Sequence, residues 1–265
     1  MKFGFLGSGK MAEAILSGML QSELANPDEV IACDTSAKRC ERINSEYAVD
    51  TASCATEMIP SCDVIILAVK PQVVEEVLVA VRDLFTEEQL LISIVAGKKL
   101  EFLRQQCGTR PRLCRVMPNL ALMAREGMSA FCMEDDPLDE DCELVSQIFG
   151  SSGAVLELDE QYFDAVTALS GSGPAFIAYL LGALIDGAIK LGLPREAARL
   201  LAEQTLIGTG IYLQESGDDI GEFIHAVCSP QGTTEAGMKV LWSSDVFESL
   251  EKTLAAAAQR SRELS

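Results

Sequence analysis

Short apolar runs alternate with helical patterns over the first 159 residues of the chain. A continuous apolar run closed by turn residues is typical of a parallel strand that is buried on both faces. Such runs lie at Lys2–Leu6, Val30–Cys33, Asp63–Val69, Leu90–Val95 and Leu113–Met117, with weaker candidates at Met128–Met133 and Ala154–Leu158. Helical spacing follows two of these runs, beginning at Met11 and near Ser36. A third helical stretch follows Asp63–Val69 and continues through Val81. The alternation predicts an α/β fold with a doubly wound sheet, whose ligands bind at the carboxyl ends of the strands.

The pattern changes at about Glu160, beyond which no convincing strand remains. Long helical stretches continue to the end of the chain and are interrupted near Gly171–Pro174, Leu191–Pro194, Gly217 and Ser229–Gly232. We therefore expect two domains, an α/β domain over residues 1–159 and an all-α domain over residues 160–265. The first helices of the second domain are apolar on most faces and rich in small residues, which predicts a subunit interface.

Charge and cysteine content narrow the range of partners. A formal net charge of −19 argues against nucleic acid and against anionic membrane surfaces. The nine cysteines include no CxxC pair and the chain has one histidine, so we expect no metal site and a reducing compartment. The apolar stretch Ala175–Leu193 is interrupted by Asp186 and Lys190, which favours a buried helix over a membrane span. Met1–Leu6 is too short for a signal peptide, so we expect a cytoplasmic protein.

A glycine motif stands between the first strand and the first helix. Gly7–Ala12 reads GxGxxA, in which Gly7 allows a tight turn, Gly9 admits a pyrophosphate close to the backbone, and Ala12 permits close helix–strand packing. An acidic residue, Asp34, follows the second strand. This combination predicts a dinucleotide-binding domain of the Rossmann type, and an acidic protein can still hold the anionic cofactor on backbone N–H groups at a helix N-terminus.

Cofactor choice stays open at this point. A carboxylate at position 34 usually accepts from the ribose 2′-hydroxyl and repels a 2′-phosphate, which favours NADH. Lys38 and Arg39 stand close enough in sequence to meet a 2′-phosphate instead, although their interpretation as solvated charges on a polar helix is favoured.

The helical half discriminates among Rossmann reductases. In hydroxyacid dehydrogenases of the β-hydroxyacid type, a glycine-rich helix start is followed one turn later by a catalytic lysine. Here Ile177 stands at that place, with Leu180 and Leu181 beyond it. The acid–base group that carbonyl or alcohol chemistry needs is therefore missing from this segment.

Two segments, Ala168–Phe176 (ALSGSGPAF) and Val227–Thr234 (VCSPQGTT), resemble the signature segments of pyrroline-5-carboxylate reductases. The resemblance extends to FxGxGxMAxAI at Phe5–Ile15, AVKP at Ala68–Pro71, SIVAG at Ser93–Gly97 and RVMPN at Arg115–Asn119, and so covers essentially the whole chain. It implies a Rossmann domain followed by a helical dimerisation domain, and reduction of 1-pyrroline-5-carboxylate to L-proline. It also implies a homodimer or higher homo-oligomer, and a cofactor that is NADPH or NADH, generally with NADPH preferred.

The resemblance also implies site residues. The cofactor would be held by Gly7, Ser8, Gly9, Lys10, Met11, Asp34, Ser36, Ala55, Val69, Lys70 and Ala96. The substrate would meet Glu160, Gly232, Thr233 and Thr234. The Thr234 hydroxyl would hydrogen-bond the ring nitrogen, while backbone N–H groups of Ser229–Thr234 would hold the substrate carboxylate. A cyclic imine can bind as an iminium, so proximity to the nicotinamide would do most of the catalytic work.

Two departures from the family and two alternatives remain. Gln231 stands where the family usually has glycine, and Asp34 replaces a small polar residue, which puts the NADPH preference in doubt.

His225 is interpreted as a surface or helix-packing residue, and Lys70 as a cofactor or strand-end residue rather than a Schiff-base lysine. The alternatives are a Rossmann reductase of another imine or hydroxy acid, and a dinucleotide-binding protein without catalysis.

Overall fold

The computed structural model describes residues 1–108, 110–135 and 137–264, and the chain divides into two compact units. The first unit comprises Met1–Ser172 together with the stretch that begins at Ala256, and the second comprises Gly173–Ala255. The domain boundary predicted from the sequence, between residues 159 and 160, lies before this division and stays a prediction.

The first unit is built on a sheet that has eight strands within the described residues. They are β1 (Phe3–Leu6), β2 (Val30–Cys33), β3 (Asp50–Ala52), β4 (Val64–Leu67), β5 (Leu90–Ser93), β6 (Arg112–Pro118), β7 (Gly127–Met133) and β8 (Gly153–Glu157). Their order is β3-β2-β1-β4-β5-β6-β7-β8, parallel throughout except for the antiparallel β6–β7 pair. The strand order reverses between β1 and β4, which confirms the doubly wound sheet and places its ligand crevice there.

The sheet is covered on both faces by apolar side chains. On β4, Val64 and Ile66 belong to one core cluster, while Ile65 and Leu67 belong to the cluster on the opposite face. This double burial is the physical reason for the continuous apolar runs in the sequence. The helices between the strands are α1 (Lys10–Gln21), α2 (Ala37–Tyr47), α3 (Ala55–Met58), α4 (Val74–Val81), α5 (Leu100–Cys107) and α6 (Asp139–Gly150).

The remainder of the described chain, after β8, contains helices and no strand. They are α7 (Phe163–Val166), α8 (Gly173–Lys190), α9 (Arg195–Ser216), α10 (Ile220–Val227), α11 (Thr233–Trp242) and α12 (Val246–Leu264). The predicted break near Gly171–Pro174 corresponds to Ser172, a bend at which the first unit ends. It lies between a π-helical turn at Thr167–Gly171 and the start of α8 at Gly173. Pro174 is tolerated because it lies in the first turn of α8, where its missing N–H would have no helical partner.

Helix α8 exposes its apolar side chains within the single chain. Tyr179 is 79% exposed and Leu184 is 67% exposed, and within the described chain α8 buries Gly173 alone. The stretch Glu160–Lys190 is long and apolar enough to cross a membrane, judged by length and composition only. The burial that the sequence predicts for this stretch is therefore not provided by the second unit itself.

A buried ion pair joins α1 to α2. The Glu13 side chain is 8% exposed, and both of its oxygens accept from the Arg42 guanidinium, Oε1 at 2.6 Å from Nη1. The Tyr47 hydroxyl adds a third bond to Oε1 at 3.3 Å. The hydrogen bond from Arg42 holds the pKa of the Glu13 carboxyl below its ordinary value of 4.5, against the opposing effect of burial.

Replacing Arg42 with alanine should destabilise the first unit, because it leaves the Glu13 carboxylate buried without its main partner. We expect Arg42→Ala to lower the free energy of unfolding at neutral pH. Arg260→Ala, which breaks an exposed pair with Glu263, should have a much smaller effect. Denaturant unfolding of the three proteins measures both effects.

The difference between wild type and Arg42→Ala should depend on pH. Because Glu13 has a lowered pKa in the folded protein, its contribution to stability is present above the unfolded-state pKa and is lost as the pH falls through the folded-state value. The stability gap should therefore narrow in acid. A gap that stays constant from neutral to acid pH would contradict the assignment.

Candidate active site

The glycine loop between β1 and α1 passes very close to the end of β4. Gly7 has φ +99°, and a Cβ atom at this position would lie 2.6 Å from the Ala68 carbonyl oxygen. The Gly7 amide donates to the Cys33 carbonyl at 2.8 Å, so the loop is held between β2 and β4. A side chain at position 7 would be strained in its backbone and would clash with the neighbouring strand.

The residues after Gly7 fit the pyrophosphate of a dinucleotide. The Ser8 side chain is buried, yet its hydroxyl has no hydrogen-bond partner among the described residues. Gly9 caps α1, and a Cβ atom there would meet nothing within 4 Å. An unsatisfied buried hydroxyl, open space and a helix N-terminus together form a site that an anion would complete. Lys10 is exposed at the first position of α1, and Met11 follows it.

Asp34 fastens this loop to the end of β2. Its side chain is 5% exposed, Oδ2 accepts from the Ser8 amide at 2.8 Å, and Oδ1 accepts from the Ser36 amide at 2.8 Å. Arg39 Nη1 lies 3.2 Å from Oδ2. Both carboxylate oxygens are thus already engaged within the protein. The geometry favours a role in holding the loop over a role as the open ribose acceptor that the sequence suggests.

Ser36 and Ala55, two further residues predicted to hold the cofactor, lie at the ends of the neighbouring strands. Ser36 is half-buried at the start of α2, and Ala55 is half-buried as the first residue of α3, just after β3. Lys38 and Arg39 are exposed on the first turn of α2. These positions put two cations beside the carboxyl end of β2 in a protein that is strongly acidic overall.

An apolar cavity of about 330 Å³ opens at the carboxyl ends of β4, β5 and β6. Val69 and Ala96, predicted as cofactor residues, lie in its wall, whereas Lys70 is exposed and outside the described lining. The lining consists of Met11, Ala68, Val69, Pro71, Ile94, Val95, Ala96, Met117, Pro118, Asn119, Leu120 and Gly171. No ionisable side chain is present among these described residues.

The end of α12 stabilises the loop that carries Ala96. Gly97 has φ +75°, and a Cβ atom there would lie 2.8 Å from Leu264 Cβ. Three residues earlier on α12, Ser261 donates from its hydroxyl to Asp164 Oδ1 at 2.6 Å. The last turn of the chain therefore packs directly behind one wall of the cavity.

Glu160 is anchored at one of its two oxygens. Oε1 accepts from the Leu100 amide at 2.8 Å and from Arg115 Nη1 at 2.9 Å. Arg115 is 3% exposed, and its guanidinium lies over the Phe163 ring at 4.7 Å. Oε2 has no partner among the described residues. Glu160 lines a separate acidic cavity that shares no lining residue with the apolar one, so the structure does not bring it to the predicted cofactor residues there.

The predicted substrate loop lies in the second unit at the start of α11. Gly232 is the N-cap of this ten-residue helix, so the amides of Thr233 and Thr234 lack partners within the helix. The Thr234 hydroxyl is half-buried and has no partner among the described residues. The loop therefore stands at a helix N-terminus, as expected, and the contact of its residues with the substrate stays a prediction.

The departure at Gln231 has a visible backbone consequence. Gln231 has φ +59°, a left-handed conformation that costs a residue with a side chain roughly 1–2 kcal/mol. Its amide donates to Glu235 Oε2 at 2.8 Å, and Glu235 also pairs with Lys239. The bond from Gln231 lowers the pKa of Glu235, so this carboxylate stays ionised and is turned back onto the loop. The Gln231 side chain is exposed, and the loop keeps a conformation that glycine would adopt without strain.

Several residues of the site were not predicted from the sequence. Asn119 is a polar side chain in the wall of the apolar cavity, and its amide nitrogen donates to the Ser170 hydroxyl at 3.3 Å. Its place directly after the buried strand β6 could have indicated Asn119 in the sequence. Arg115, which is buried within β6, is a second residue that was not predicted. His225 is exposed in the last turn of α10, as expected, and no cluster suited to a metal ion occurs among the described residues.

Comparisons with known proteins agree with this architecture. A family model described as pyrroline-5-carboxylate reductase dimerisation matches residues 160–264, and one described as NADP oxidoreductase, coenzyme F420-dependent, matches residues 2–97. Pyrroline-5-carboxylate reductase of Arabidopsis thaliana is 38% identical over 264 residues, covering 100% of this chain and 95% of that protein. The solved pyrroline-5-carboxylate reductase of Coxiella burnetii is similar with a TM-score of 0.94 at 31% identity, over 100% of this chain and 98% of that one. The Plasmodium falciparum pyrroline carboxylate reductase, solved with NADP bound, gives 0.90 at 28% identity with the same coverage.

Removing the Asp34 carboxylate should loosen the glycine loop. Because the Ser8 and Ser36 amides then lose a charged acceptor, we expect Asp34→Ala to weaken NADPH and NADH binding alike, each by about tenfold or more. The matched control is Asp28→Ala, which removes an exposed carboxylate before the other end of β2. Kd values from cofactor fluorescence titration measure the effect. A selective gain in NADPH affinity would instead support the repulsive role suggested by the sequence.

Proposed function

The chain belongs to the pyrroline-5-carboxylate reductase family, and we propose that the glycine loop, the apolar cavity and the Ser229–Thr234 loop carry out its reaction. The protein reduces 1-pyrroline-5-carboxylate to L-proline with NADPH or NADH. In this reaction a hydride adds to the carbon of the C=N bond and a proton is bound at nitrogen, while the nicotinamide is oxidised.

The observation that carries the proposal is the absence of an ionisable side chain from the described lining of the apolar cavity. A ketone or hydroxy acid needs a protein acid or base at the reacting oxygen. A cyclic imine is basic and arrives as an iminium, which is already electrophilic at the carbon that takes the hydride. Such a substrate needs mainly proximity to the nicotinamide, which the cavity can supply without a protein acid.

The cofactor is held by the first unit. When bound, it supplies the hydride. Gly7, Ser8 and Gly9 receive the pyrophosphate with the first residues of α1, Lys10 and Met11. Asp34 contributes by fixing the Ser8 and Ser36 amides in place. Ala55 and Lys70 border the two ends of the dinucleotide, and Val69 and Ala96 form the wall against its nicotinamide.

The substrate is held by the loop in the second unit. The carboxylate of the substrate receives the N–H groups of Thr233 and Thr234, where the helix N-terminus adds a favourable dipole. The Thr234 hydroxyl hydrogen-bonds the ring nitrogen and steadies the iminium. Glu160 lines the separate acidic cavity, so the substrate contact that the resemblance implies for it stays a prediction.

The protein forms a homo-oligomer. We infer that it is a homodimer or a larger assembly whose interface is formed by α8 and its neighbours. The support is the exposed apolar surface of α8 and α9, including Tyr179, Leu184 and Leu200. A cytoplasmic location fits the nine cysteines, all of which are free thiols. Neither nucleic acid nor an anionic membrane suits the net charge of −19.

The reaction is tested by cofactor oxidation with purified protein. We expect oxidation of NADPH and NADH in the presence of 1-pyrroline-5-carboxylate, with one L-proline formed per cofactor consumed. Hydroxy acids and ketones of similar size are the controls and should give no turnover. Turnover of a hydroxy or keto acid without turnover of the imine would overturn the proposed function.

Thr234 should affect the chemical step without affecting the cofactor. We expect Thr234→Ala to lower kcat/KM for the imine by about 10- to 100-fold, since a hydrogen bond to a charged group is lost, while the NADPH Kd changes by less than about twofold. Thr234→Ser retains the hydroxyl and should recover most of the activity. Equal loss of turnover and cofactor affinity, or failure of serine to rescue, would contradict the role of Thr234.

A further inference from the structure

The apolar cavity has to accommodate one polar group of the cofactor. In the sheet order, β1 separates β2 and β3 from β4, β5 and β6. A dinucleotide whose pyrophosphate lies on the glycine loop therefore extends its adenosine towards β2 and its nicotinamide towards β4–β6, where the cavity lies. The nicotinamide ring suits the apolar wall, but its carboxamide loses water there and needs a hydrogen-bond partner.

Asn119 is the residue of the wall with a polar side chain, and it makes three hydrogen bonds within the protein. Oδ1 accepts from the Ala121 amide at 3.1 Å and from the Met128 amide at 3.2 Å. These two bonds fix the orientation of the side-chain amide, so Nδ2 faces Ser170 and donates to its hydroxyl oxygen at 3.3 Å. Asn119 thus directs a second residue.

Ser170 is left with a hydrogen to donate. Since its oxygen accepts from Asn119, its own O–H points elsewhere, and it has no acceptor among the described residues. Ser170 directly precedes Gly171, which lines the cavity. The hydroxyl is therefore a preset donor at the edge of an otherwise apolar wall.

The backbone around Ser170 is unusual and firmly placed. Thr167–Gly171 form a π-helical turn, in which the Ser172 amide donates to the Thr167 carbonyl at 2.9 Å. Turns of this kind occur frequently at functional sites. A Cβ atom at Gly171 would lie 2.4 Å from Met117 Cε, so the turn is pressed against the end of β6. The widened turn places Ser170 within hydrogen-bond distance of Asn119.

We propose that Ser170 donates a hydrogen bond to the carboxamide of the bound nicotinamide, and that Asn119 is the positioning residue that aims it. The pair fixes the rotation of the ring in the cavity and so presents one ring face for hydride transfer. The proposal rests on the dinucleotide site described above, but it does not depend on which imine is reduced.

The test compares NADPH with the fragment of NADPH that lacks the nicotinamide, 2′-phospho-ADP-ribose. We expect Ser170→Ala to raise the Kd of NADPH by about fivefold to tenfold, the effect of one hydrogen bond, and to leave the Kd of the fragment unchanged within about twofold. The control, Ser172→Ala, removes a second hydroxyl from the same segment and should change neither Kd.

Asn119→Asp provides an independent variant. A carboxylate at position 119 cannot donate to Ser170 and instead accepts its hydrogen, so the loss should again be confined to NADPH. The double variant should lose no more than either single variant, because both remove the same bond.

Equal weakening of NADPH and the fragment would show that Ser170 merely supports the fold of the site, and unchanged NADPH affinity would show that it makes no contact. Either result overturns the proposal. Both Kd values are measured without substrate. The role of Ser170 can therefore be tested even if the protein fails to reduce pyrroline-5-carboxylate.

Discussion

The close approach of the glycine loop to the end of β4 is the constraint on which the first unit depends. Gly7 leaves no room for a side chain beside Ala68, and the Asp34 carboxylate ties the next amide to the end of β2. The loop is thereby fixed at the point where the strand order reverses. This position sets the direction in which a dinucleotide crosses the sheet, and it makes the apolar cavity at β4–β6 the place for the reactive ring.

The chemistry follows from what that cavity lacks as much as from what it contains. Its wall offers apolar contacts and the Asn119–Ser170 pair, and no acid or base among the described lining residues. A substrate that carries its own proton on nitrogen needs no acid from such a wall, whereas a neutral carbonyl does. In the second unit, the helix start at Gly232–Thr234 offers N–H donors suited to a carboxylate.

The sequence was sufficient to predict the doubly wound sheet, because strands that are buried on both faces appear as continuous apolar runs, as in Val64–Leu67. The strand β3 was missed because its three residues, Asp50–Ala52, are mostly exposed and carry no such signal. The π-helical turn at Thr167–Gly171 was not predicted, whereas glycine and proline did mark the interruption near Gly171–Pro174. The partners of Asp34 are backbone amides, which no side-chain pattern reveals, and the left-handed backbone of Gln231 is likewise hidden from its side-chain identity.

We infer that the protein contributes no titrating acid to the reduction and that the substrate nitrogen carries its own proton. The measurement to make is the pH dependence of kcat/KM for two cyclic imines whose iminium pKa values differ. The ionisation seen in the profile should move with the pKa of the imine. An ionisation that stays at the same pH for both substrates would reveal a protein acid and overturn the inference.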